Sequence, residues 1–411
     1  MFNKLEDAIN WIVVQQKFRP KTSLIHVKKA FDMLSLDLSH IKKVHVTGTN
    51  GKGSTCMYLT KIFVDQGLKV GTFMSPYLVS FNERIKVNGE NISDDLLLKH
   101  INLIYLVAAK YKDETKETLS FFELLTLTSL SVFHELNLDI IVMEVGIGGL
   151  LDATNILNYD ASVITNIGYD HMKTLGNTLE EIGLNKLGIV KEHNHLFTTV
   201  DKSLYDLFNN YVKDKNAEIM IIKEEDIKIL SNLPNIIEYK NETYELSLLG
   251  TYQSKNAALA IEVAKFILPE ITHESLNQSL SLVSYGGRLE KVLDGVYIDG
   301  AHNTHAMKEL INTLHSTFKM YNINILFSAL SDKEPIKMLE MLEGHVKSIT
   351  TTAFPDTRYE SLASLPFKFE ENPKIALENL IKNKSEQDLV IITGSLHFIG
   401  YIKKEIIPYL K

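Results

Sequence analysis

The chain has 411 residues, of which 45% are hydrophobic and 23% charged, an ordinary composition for a globular protein of two or three domains. Its 43 Lys and Arg against 51 Asp and Glu give a formal net charge of -8, so we expect no nucleic-acid partner. The single cysteine, Cys56, excludes an intrachain disulfide, and the sequence lacks a run of about 18 apolar residues that could span a membrane, so we expect a cytoplasmic protein without a membrane partner.

The N-terminus reads MFNKLEDAINWIVVQQ and predicts an amphipathic helix. Glu6 and Asp7 interrupt the apolar residues, unlike the unbroken apolar segment of a signal peptide. The apolar positions recur as on one face of a helix: Leu5, Ile9, Ile12 and Val13.

Apolar stretches typical of strands alternate along the chain with stretches typical of helices. This alternation predicts an α/β fold, in which a parallel sheet is flanked by helices. The first series predicts a P-loop ATPase-like domain over residues 1–287, with strands at 43–46, 68–73, 138–145, 161–164, 196–200 and 218–222.

A second, smaller series of strands follows in the last third of the chain. It predicts a Rossmann-like α/β domain over residues 288–411. The paired glycines of the sequence YGGR at 285–288 predict a hinge near residues 285–290. The strands of this series are predicted at 296–298, 323–327, 348–351 and 389–392.

Residues 44–54 read VHVTGTNGKGS and predict a strand, a glycine-rich turn and the start of a helix. Backbone N–H groups freed by Gly48, Gly51 and Gly53 can point at anionic oxygens, and the helix start adds partial positive charge. Lys52 adds a full charge, and Ser54 is placed to reach a magnesium ion. We therefore predict a phosphate-binding loop.

The spacing of this loop departs from the common nucleoside-triphosphate pattern. Val46 stands where that pattern has its first glycine, and Gly53 stands where it has a hydroxyl directly after the lysine. The loop is therefore a variant.

Three polar residues lie at the end of a predicted strand or just beyond it and are candidates for chemistry. Glu144 ends the apolar run LDIIVMEVGIGG, where a buried carboxylate is rare unless it is paired or bound to a metal. His171 and Ser75 also lie just beyond strands, although His171 can be a structural side chain and Ser75 a turn former beside Pro76. Because strand ends of a parallel sheet share one edge, these turns should converge on one site.

Several motifs occur in one order and closely resemble the folylpolyglutamate synthase and dihydrofolate synthase family, within the Mur-type ATP-dependent amide ligases. The resemblance runs from about residue 11 to residue 395. Its motifs are TGTNGKGS, TFMSPYLVSFNERI, MEVGIGGLLDATN, ITNIGYDHMKTLGNTLEEIGLNKLGIVK, GTYQSKNAALA, GRLE, IDGAHN and ITGSL.

The resemblance implies that the loop holds the phosphates of ATP and that Asn256 contacts adenine. Arg288 matches an arginine that reaches an ATP phosphate, and Asp299 and His302 match the C-terminal-domain pair that meets the nucleotide. The loop residues implied to bind nucleotide are Thr49, Asn50, Gly51, Lys52, Gly53 and Ser54.

The resemblance also implies two magnesium ions. Histidine is an unusual ligand for this hard cation, which prefers oxygen. Lys186 matches a lysine that is usually carbamylated, although Leu187 replaces the usual alanine beside it. The implied metal ligands are Ser54, Ser75, Glu144 and His171.

On the substrate side, the resemblance assigns Ser75, Pro76, Asp152 and Ala153. The sequence LDATN is the form seen in bacterial members that also accept dihydropteroate, whereas Tyr77 and Leu150 depart from the usual histidine and arginine.

The implied activity is ATP-dependent amide formation between L-glutamate and a folate, with dihydropteroate as a second acceptor, through an acyl phosphate. Lys52, Lys186, Glu144, His171, Asp299 and His302 are the implied catalytic residues. We expect a monomer with small-molecule substrates. The alternatives are another Mur-type amino-acid ligase, which carries an additional N-terminal domain, and a nucleotide-switch ATPase.

Overall fold

The computed structural model describes residues 1–15 and 23–410, so Gln16 of the predicted N-terminal helix lies outside the described residues. The chain forms two compact units. The first comprises Met1–Asp226 and Lys255–Leu280, and the second comprises Ile227–Ser254 and Ser281–Lys411. This division differs from a single cut at residue 287, and the domain boundary and hinge stay predictions.

In the described part of the first unit, eight strands form one sheet, in the order β4-β3-β2-β5-β1-β6-β7-β8. Strands β2, β5, β1, β6, β7 and β8 run parallel, and β3 and β4 form an antiparallel edge. The strands are β1 Lys42–Thr47, β2 Val70–Phe73, β3 Ile85–Val87, β4 Glu90–Asn91, β5 Ile140–Glu144, β6 Ala161–Ile164, β7 His195–Thr198 and β8 Glu218–Ile221.

Helices flank this sheet, and the strands at its centre are buried. Every residue of β2, β5 and β6 is buried, which explains their nearly continuous apolar sequences. The helices up to residue 281 are α1 Leu5–Val13, α2 Ile25–Leu34, α3 Lys52–Asp65, α4 Asp94–Thr115, α5 Phe121–Glu135, α6 Met172–Leu175, α7 Leu179–Leu187, α8 Tyr205–Asp214, α9 Gln253–Ile267 and α10 His273–Ser281.

The described part of the second unit, up to residue 410, contains two sheets. An antiparallel sheet consists of β9 Ile227–Asn232, β10 Asn235–Tyr239 and β11 Glu242–Leu246. A mainly parallel sheet has the order β12-β13-β17-β14-β15-β16. Its strands are β12 Glu290–Leu293, β13 Val296–Ile298, β14 Asn322–Phe327, β15 Ser348–Thr352, β16 Lys368–Glu370 and β17 Asp388–Thr393; its helices are α11 Thr304–Thr317, α12 Pro335–Leu342, α13 Pro373–Lys382 and α14 Leu396–Glu405.

The predicted α/β fold is confirmed, and all ten predicted strands are present, with ends shifted by one or two residues in most cases. The short strands β3, β4, β12 and β16 and the antiparallel sheet β9–β11 were not predicted. None of the helices within residues 1–15 and 23–410 has both the length and the apolar character that crossing a bilayer requires.

Candidate active site

The candidate site lies in the first unit, at the carboxyl ends of its central strands. Strand β1 lies between β5 and β6. After β1 the chain passes through α3 to β2, which lies on one side of β1 in the sheet, and it later enters β6 on the other side. The strand order therefore reverses at β1, and parallel α/β sheets open a ligand crevice at such a point. The register pairs Val46 with Glu144 and Thr47 with Ile164, so the ends of the three strands are adjacent.

The predicted phosphate loop joins β1 to α3. Gly51 is the N-cap of α3 with φ +85°, and a helix start leaves its first N–H groups without intrahelical partners. The Lys52 side chain folds back over the loop, where its Nζ donates to the carbonyl oxygens of Gly48 at 2.9 Å and Thr49 at 3.1 Å. A positive charge is therefore held beside the helix N-terminus, as anion binding requires.

The turn after β6 supports this loop. The N–H of Thr49 donates to the carbonyl oxygen of Asn166 at 3.0 Å, and the N–H of Asn50 donates to Asn166 Oδ1 at 2.9 Å. The hydroxyl of Thr165 donates to the carbonyl oxygen of Asn50 at 2.5 Å. Sequence reasoning did not single out Thr165 and Asn166, although they open the quoted ITNIGYDH motif directly after a strand.

Asn256, at the second position after the first unit resumes, lies against Gly51. A Cβ atom at Gly51 would stand 2.3 Å from Asn256 Oδ1. Asn256 is only 5% exposed, so the amide has little room to move away. The structure thus brings the residue implied to contact adenine next to the phosphate loop.

We expect Gly51→Ala to impair nucleotide binding through this contact. Gly67→Ala is the matched control, because Gly67 has φ +81° and a Cβ there would meet no atom within 4 Å. Both changes place alanine in the left-handed region, at a cost of about 1–2 kcal/mol in stability. Only Gly51→Ala should also raise the KM for ATP. Steady-state kinetics and thermal unfolding measure the two effects, and equal KM values for both variants would contradict the assignment.

Lys186, in the last turn of α7, reaches the same loop. Its side chain is buried, with 3% of the residue exposed, and Nζ donates to the Gly48 carbonyl oxygen at 2.9 Å. Burial, and then the positive charge of Lys52, hold the pKa of Lys186 well below its usual value. An amine with a lowered pKa is more often unprotonated and therefore nucleophilic.

Glu144 and Ser75 meet at the ends of β5 and β2. Glu144 is 3% exposed, and its Oε2 accepts the Ser75 N–H at 3.0 Å. The peptide bond between Ser75 and Pro76 is cis. Burial and then the Glu144 carboxylate raise the pKa of Cys56, which places that carboxylate near the first turns of α3.

His171 is the most exposed of the predicted metal ligands, with 39% of its side chain exposed. Its neighbour Asp170 lies 3.9 Å from His171 Nε2. Within residues 1–15 and 23–410, no three His, Cys, Asp or Glu side chains are grouped to hold a metal. The predicted metal ligands are Ser54, Ser75, Glu144 and His171, of which only Glu144 and His171 are of these four residue types, so this result does not test them.

Asp152 organises the LDATN turn. Its Oδ1 accepts the Thr154 N–H at 3.0 Å and the Thr154 hydroxyl at 2.7 Å, and its Oδ2 accepts the Ile147 N–H at 3.2 Å. His45 Nε2 donates to the same Thr154 hydroxyl at 2.8 Å, and burial lowers the pKa of His45 to about 3. Both Asp152 and Ala153 are buried, at 5% and 0% exposure, so the turn is held rigidly.

In the second unit, three predicted residues lie near one backbone contact. The Gly300 N–H donates to the Gly287 carbonyl oxygen at 2.8 Å. Asp299 accepts the N–H groups of Leu289 and Ala301, and burial raises its pKa. His302 Nδ1 donates to the Gly300 carbonyl oxygen at 2.7 Å. A Cβ at Gly300 would lie 2.7 Å from Arg288 Nη1, so Arg288 belongs to the same cluster.

Comparison with known protein families gives two matches. Residues 46–264 match the Mur ligase middle domain, and residues 287–396 match the Mur ligase glutamate ligase domain. The first match alone covers more than half of the chain.

Individual relatives match over nearly the full length. A dihydrofolate synthase/folylpolyglutamate synthase of Bacillus subtilis is 34% identical over 99% of this chain and 100% of its own. The crystal structure of a folylpolyglutamate synthase from Thermotoga maritima is 27% identical, covers 97% of this chain and 96% of its own, and has a TM-score of 0.85.

A Yersinia pestis bifunctional folylpolyglutamate synthase/dihydrofolate synthase complexed with AMPPNP and a Mn ion is 25% identical, covers 97% of each chain and has a TM-score of 0.85. This chain therefore belongs to the dihydrofolate synthase/folylpolyglutamate synthase family of ATP-dependent amide ligases.

Proposed function

We propose that this protein joins L-glutamate to the carboxylate of a folate, and also to that of dihydropteroate, with hydrolysis of ATP to ADP and phosphate. The observation that carries the proposal is the loop after β1, where Lys52 and Lys186 both donate to the Gly48 carbonyl oxygen beside the helix N-terminus. The similarity to family members with both activities and the LDATN turn support dihydropteroate as a second acceptor.

The reaction needs two steps because a carboxylate has no adequate leaving group. An oxygen of the acceptor carboxylate attacks the γ-phosphorus of ATP, the bond to the bridging β-phosphate oxygen breaks, and ADP leaves. The amine of L-glutamate then attacks the acyl carbon, phosphate leaves, and the nitrogen loses a proton as the amide forms. The chain supplies no nucleophile; it positions the reactants and stabilises charge.

The first step concentrates negative charge on the transferred phosphoryl group. We propose that Lys52 and the backbone of Gly51 and Gly53 stabilise this charge, supported by Thr49 and Asn50, and that Asn256 contacts the adenine. The AMPPNP and Mn ion of the Yersinia relative support a nucleotide and a divalent cation here.

Two magnesium ions are proposed at the same edge of the sheet, where they would neutralise phosphate charge when bound. The buried Glu144 carboxylate beside Ser75 fits such a cation, because oxygen is the ligand that magnesium prefers. We propose that Ser75 and Pro76 on one side, and Asp152 and Ala153 on the other, border the acceptor substrate. The proposed ligands are Ser54, Ser75, Glu144 and His171.

We further propose that Lys186 is carbamylated. Its unprotonated amine attacks carbon dioxide, a C–N bond forms at the expense of one C–O π bond, and the nitrogen releases one proton, which converts a buried neutral amine into an anion beside the loop. The lowered pKa of Lys186 supports this step, because only the neutral amine reacts. The nucleotide roles of Arg288, Asp299 and His302, the cytoplasmic location and the monomeric state stay predictions.

Release of phosphate from Mg-ATP tests the proposed function. We expect it to require both L-glutamate and a pterin acceptor, with tetrahydrofolate and dihydropteroate assayed separately. Release without either substrate would support a nucleotide switch instead, and a requirement for a nucleotide-sugar peptide would support a cell-wall ligase. A response to only one acceptor would restrict the activity to that acceptor.

A further inference from the structure

Arg84 is a buried cation that the mechanism above leaves without a role. It ends the short 3₁₀ helix Phe81–Arg84, which follows the Ser75-Pro76 turn and leads into β3. Arg84 is only 7% exposed. Its guanidinium carbon lies 5.0 Å from the ring centroid of Tyr77 and 5.5 Å from those of Phe81 and Phe121. Aromatic faces therefore surround the cation.

This guanidinium has no partner among residues 1–15 and 23–410. Its Nε is fully buried without a hydrogen-bond acceptor, and Arg84 forms no ion pair with any described residue. The remaining internal residues, 16–22, read QKFRPKT and contain no carboxylate. Aromatic faces attract a cation but do not accept its in-plane N–H groups, so no residue within 1–15 and 23–410 uses the hydrogen-bonding capacity of the Arg84 side chain.

The neighbouring carboxylate on the same helix is committed elsewhere. Glu83 accepts the N–H groups of the preceding loop, from Leu78 at 2.7 Å, Val79 at 3.0 Å and Ser80 at 2.9 Å. The carboxylate therefore shapes the loop that carries Tyr77. Burial lowers the pKa of Arg84 to about 10, and the nearby Tyr77, Glu144 and Glu83 side chains oppose that shift, so the guanidinium stays protonated at neutral pH.

A buried charge without a partner is costly, and a binding site is where such a cost can be offset by a ligand of opposite charge. Arg84 packs against Tyr77, two residues beyond Ser75, and the Ser75 N–H donates to Glu144, the carboxylate at the proposed phosphoryl-transfer edge. In the first chemical step, the group that must approach the γ-phosphate is the acceptor carboxylate. The negative charges of this carboxylate and of the γ-phosphate repel each other, and a positively charged guanidinium beside the carboxylate would reduce that repulsion.

We propose that Arg84 binds the carboxylate of the acceptor substrate. This inference rests on the proposed function and assigns a residue to its acceptor site. The planar guanidinium donates two parallel N–H groups to the carboxylate oxygens, while Tyr77, Phe81 and Phe121 hold its faces. Arg84 thereby selects an acceptor that carries a carboxylate and holds it for attack on ATP.

The assignment is tested by measuring the binding affinity of two ligands, with and without the carboxylate, for the wild type and for Arg84 variants. Dihydropteroate and its analogue without the carboxylate are titrated, with Mg-AMPPNP present to prevent turnover, into the wild type, Arg84→Met and Arg84→Lys. Lys86→Met is the control, because Lys86 lies two residues away on β3 and its Nζ donates to Asn91 outside the aromatic cluster.

We expect the wild type and Lys86→Met to bind dihydropteroate about 10- to 100-fold more tightly than the analogue, the range for a hydrogen bond between charged groups. Arg84→Met should bind the two compounds equally, with the affinity for the analogue unchanged, and Arg84→Lys should keep part of the preference. Arg84→Met should also unfold at the same or a higher temperature than the wild type, because it removes a buried unpaired charge.

If Arg84→Met lost the same affinity for both compounds, the assignment would be overturned. It would also be overturned if the only kinetic change in Arg84→Met were a higher KM for ATP or for glutamate. Glutamate- and pterin-dependent phosphate release by the wild type is measured in the same preparation. If that release persists while the binding affinities show no coupling between Arg84 and the carboxylate, the Arg84 assignment fails and the proposed function stands. If the wild type shows no such release, the proposed function itself fails.

Discussion

Lys52→Ala is expected to lower kcat/KM for glutamate-dependent ADP release by about 10²–10³-fold or more, the range seen when one donor to a developing anion is removed. The reason is that Lys52 carries the full positive charge of the phosphate loop, and the loop carbonyls of Gly48 and Thr49 hold its ammonium beside the start of α3. A steady-state coupled assay of ADP release with saturating glutamate and acceptor measures the effect.

Lys61→Ala is the control for this change. Lys61 lies on the same helix, two and a half turns later, and its Nζ is 2.6 Å from Asp65 Oδ1 in an exposed i,i+4 pair. Such a pair contributes about 0.3–0.5 kcal/mol, so this variant should keep wild-type kinetics. Unchanged ADP release in Lys52→Ala would show that the loop does not act on the phosphates.

Lys186→Met is expected to abolish most of the activity and to remove any response to bicarbonate. Methionine fills a similar buried volume without an amine, so no carbamate can form. The wild type, freed of carbon dioxide and bicarbonate, should lose activity and regain it when bicarbonate is added. The rate of amide formation is measured with and without bicarbonate for both proteins.

Lys191→Met provides the comparison for Lys186→Met. Lys191 lies five residues further along, half-buried, and its Nζ donates to the Asn155 carbonyl oxygen at 3.3 Å. This variant should keep both the activity and the response to bicarbonate. Activity that is insensitive both to bicarbonate removal and to Lys186→Met would exclude the carbamate.

Sequence patterns predicted the central strands because these strands are buried on both faces. Burial imposes an apolar run such as IIVME in β5, and such runs are visible in one sequence. The sheet β9–β11 was missed although β10 and β11 alternate between buried and more exposed positions, because these strands are short and β9 has no buried residue. The sequence did hold one signal, Asn241 between β10 and β11, because asparagine tolerates positive φ. In the structure, Lys240 and Asn241 both adopt positive φ, as two-residue hairpin turns require.

Site residues were predictable where a polar side chain interrupts a pattern. Glu144 stood out as a carboxylate ending an apolar strand, and the structure places it against Ser75, which was selected for the same reason. Arg84 did not stand out, because an arginine that follows two polar residues, as in the sequence FNERI, is ordinary. Its burial and its lack of a partner arise from tertiary contacts with Phe121 and Tyr77, which no local pattern encodes.

The chain passes between the two compact units at residues 226–227, 254–255 and 280–281. No single peptide bond therefore separates them. A fragment ending at residue 287 would retain β9–β11, a part of the second unit, while lacking the rest of that unit. Separate expression of the halves would accordingly require removing residues 227–254 from the first half and joining residues 226 and 255 directly, rather than cutting the gene once.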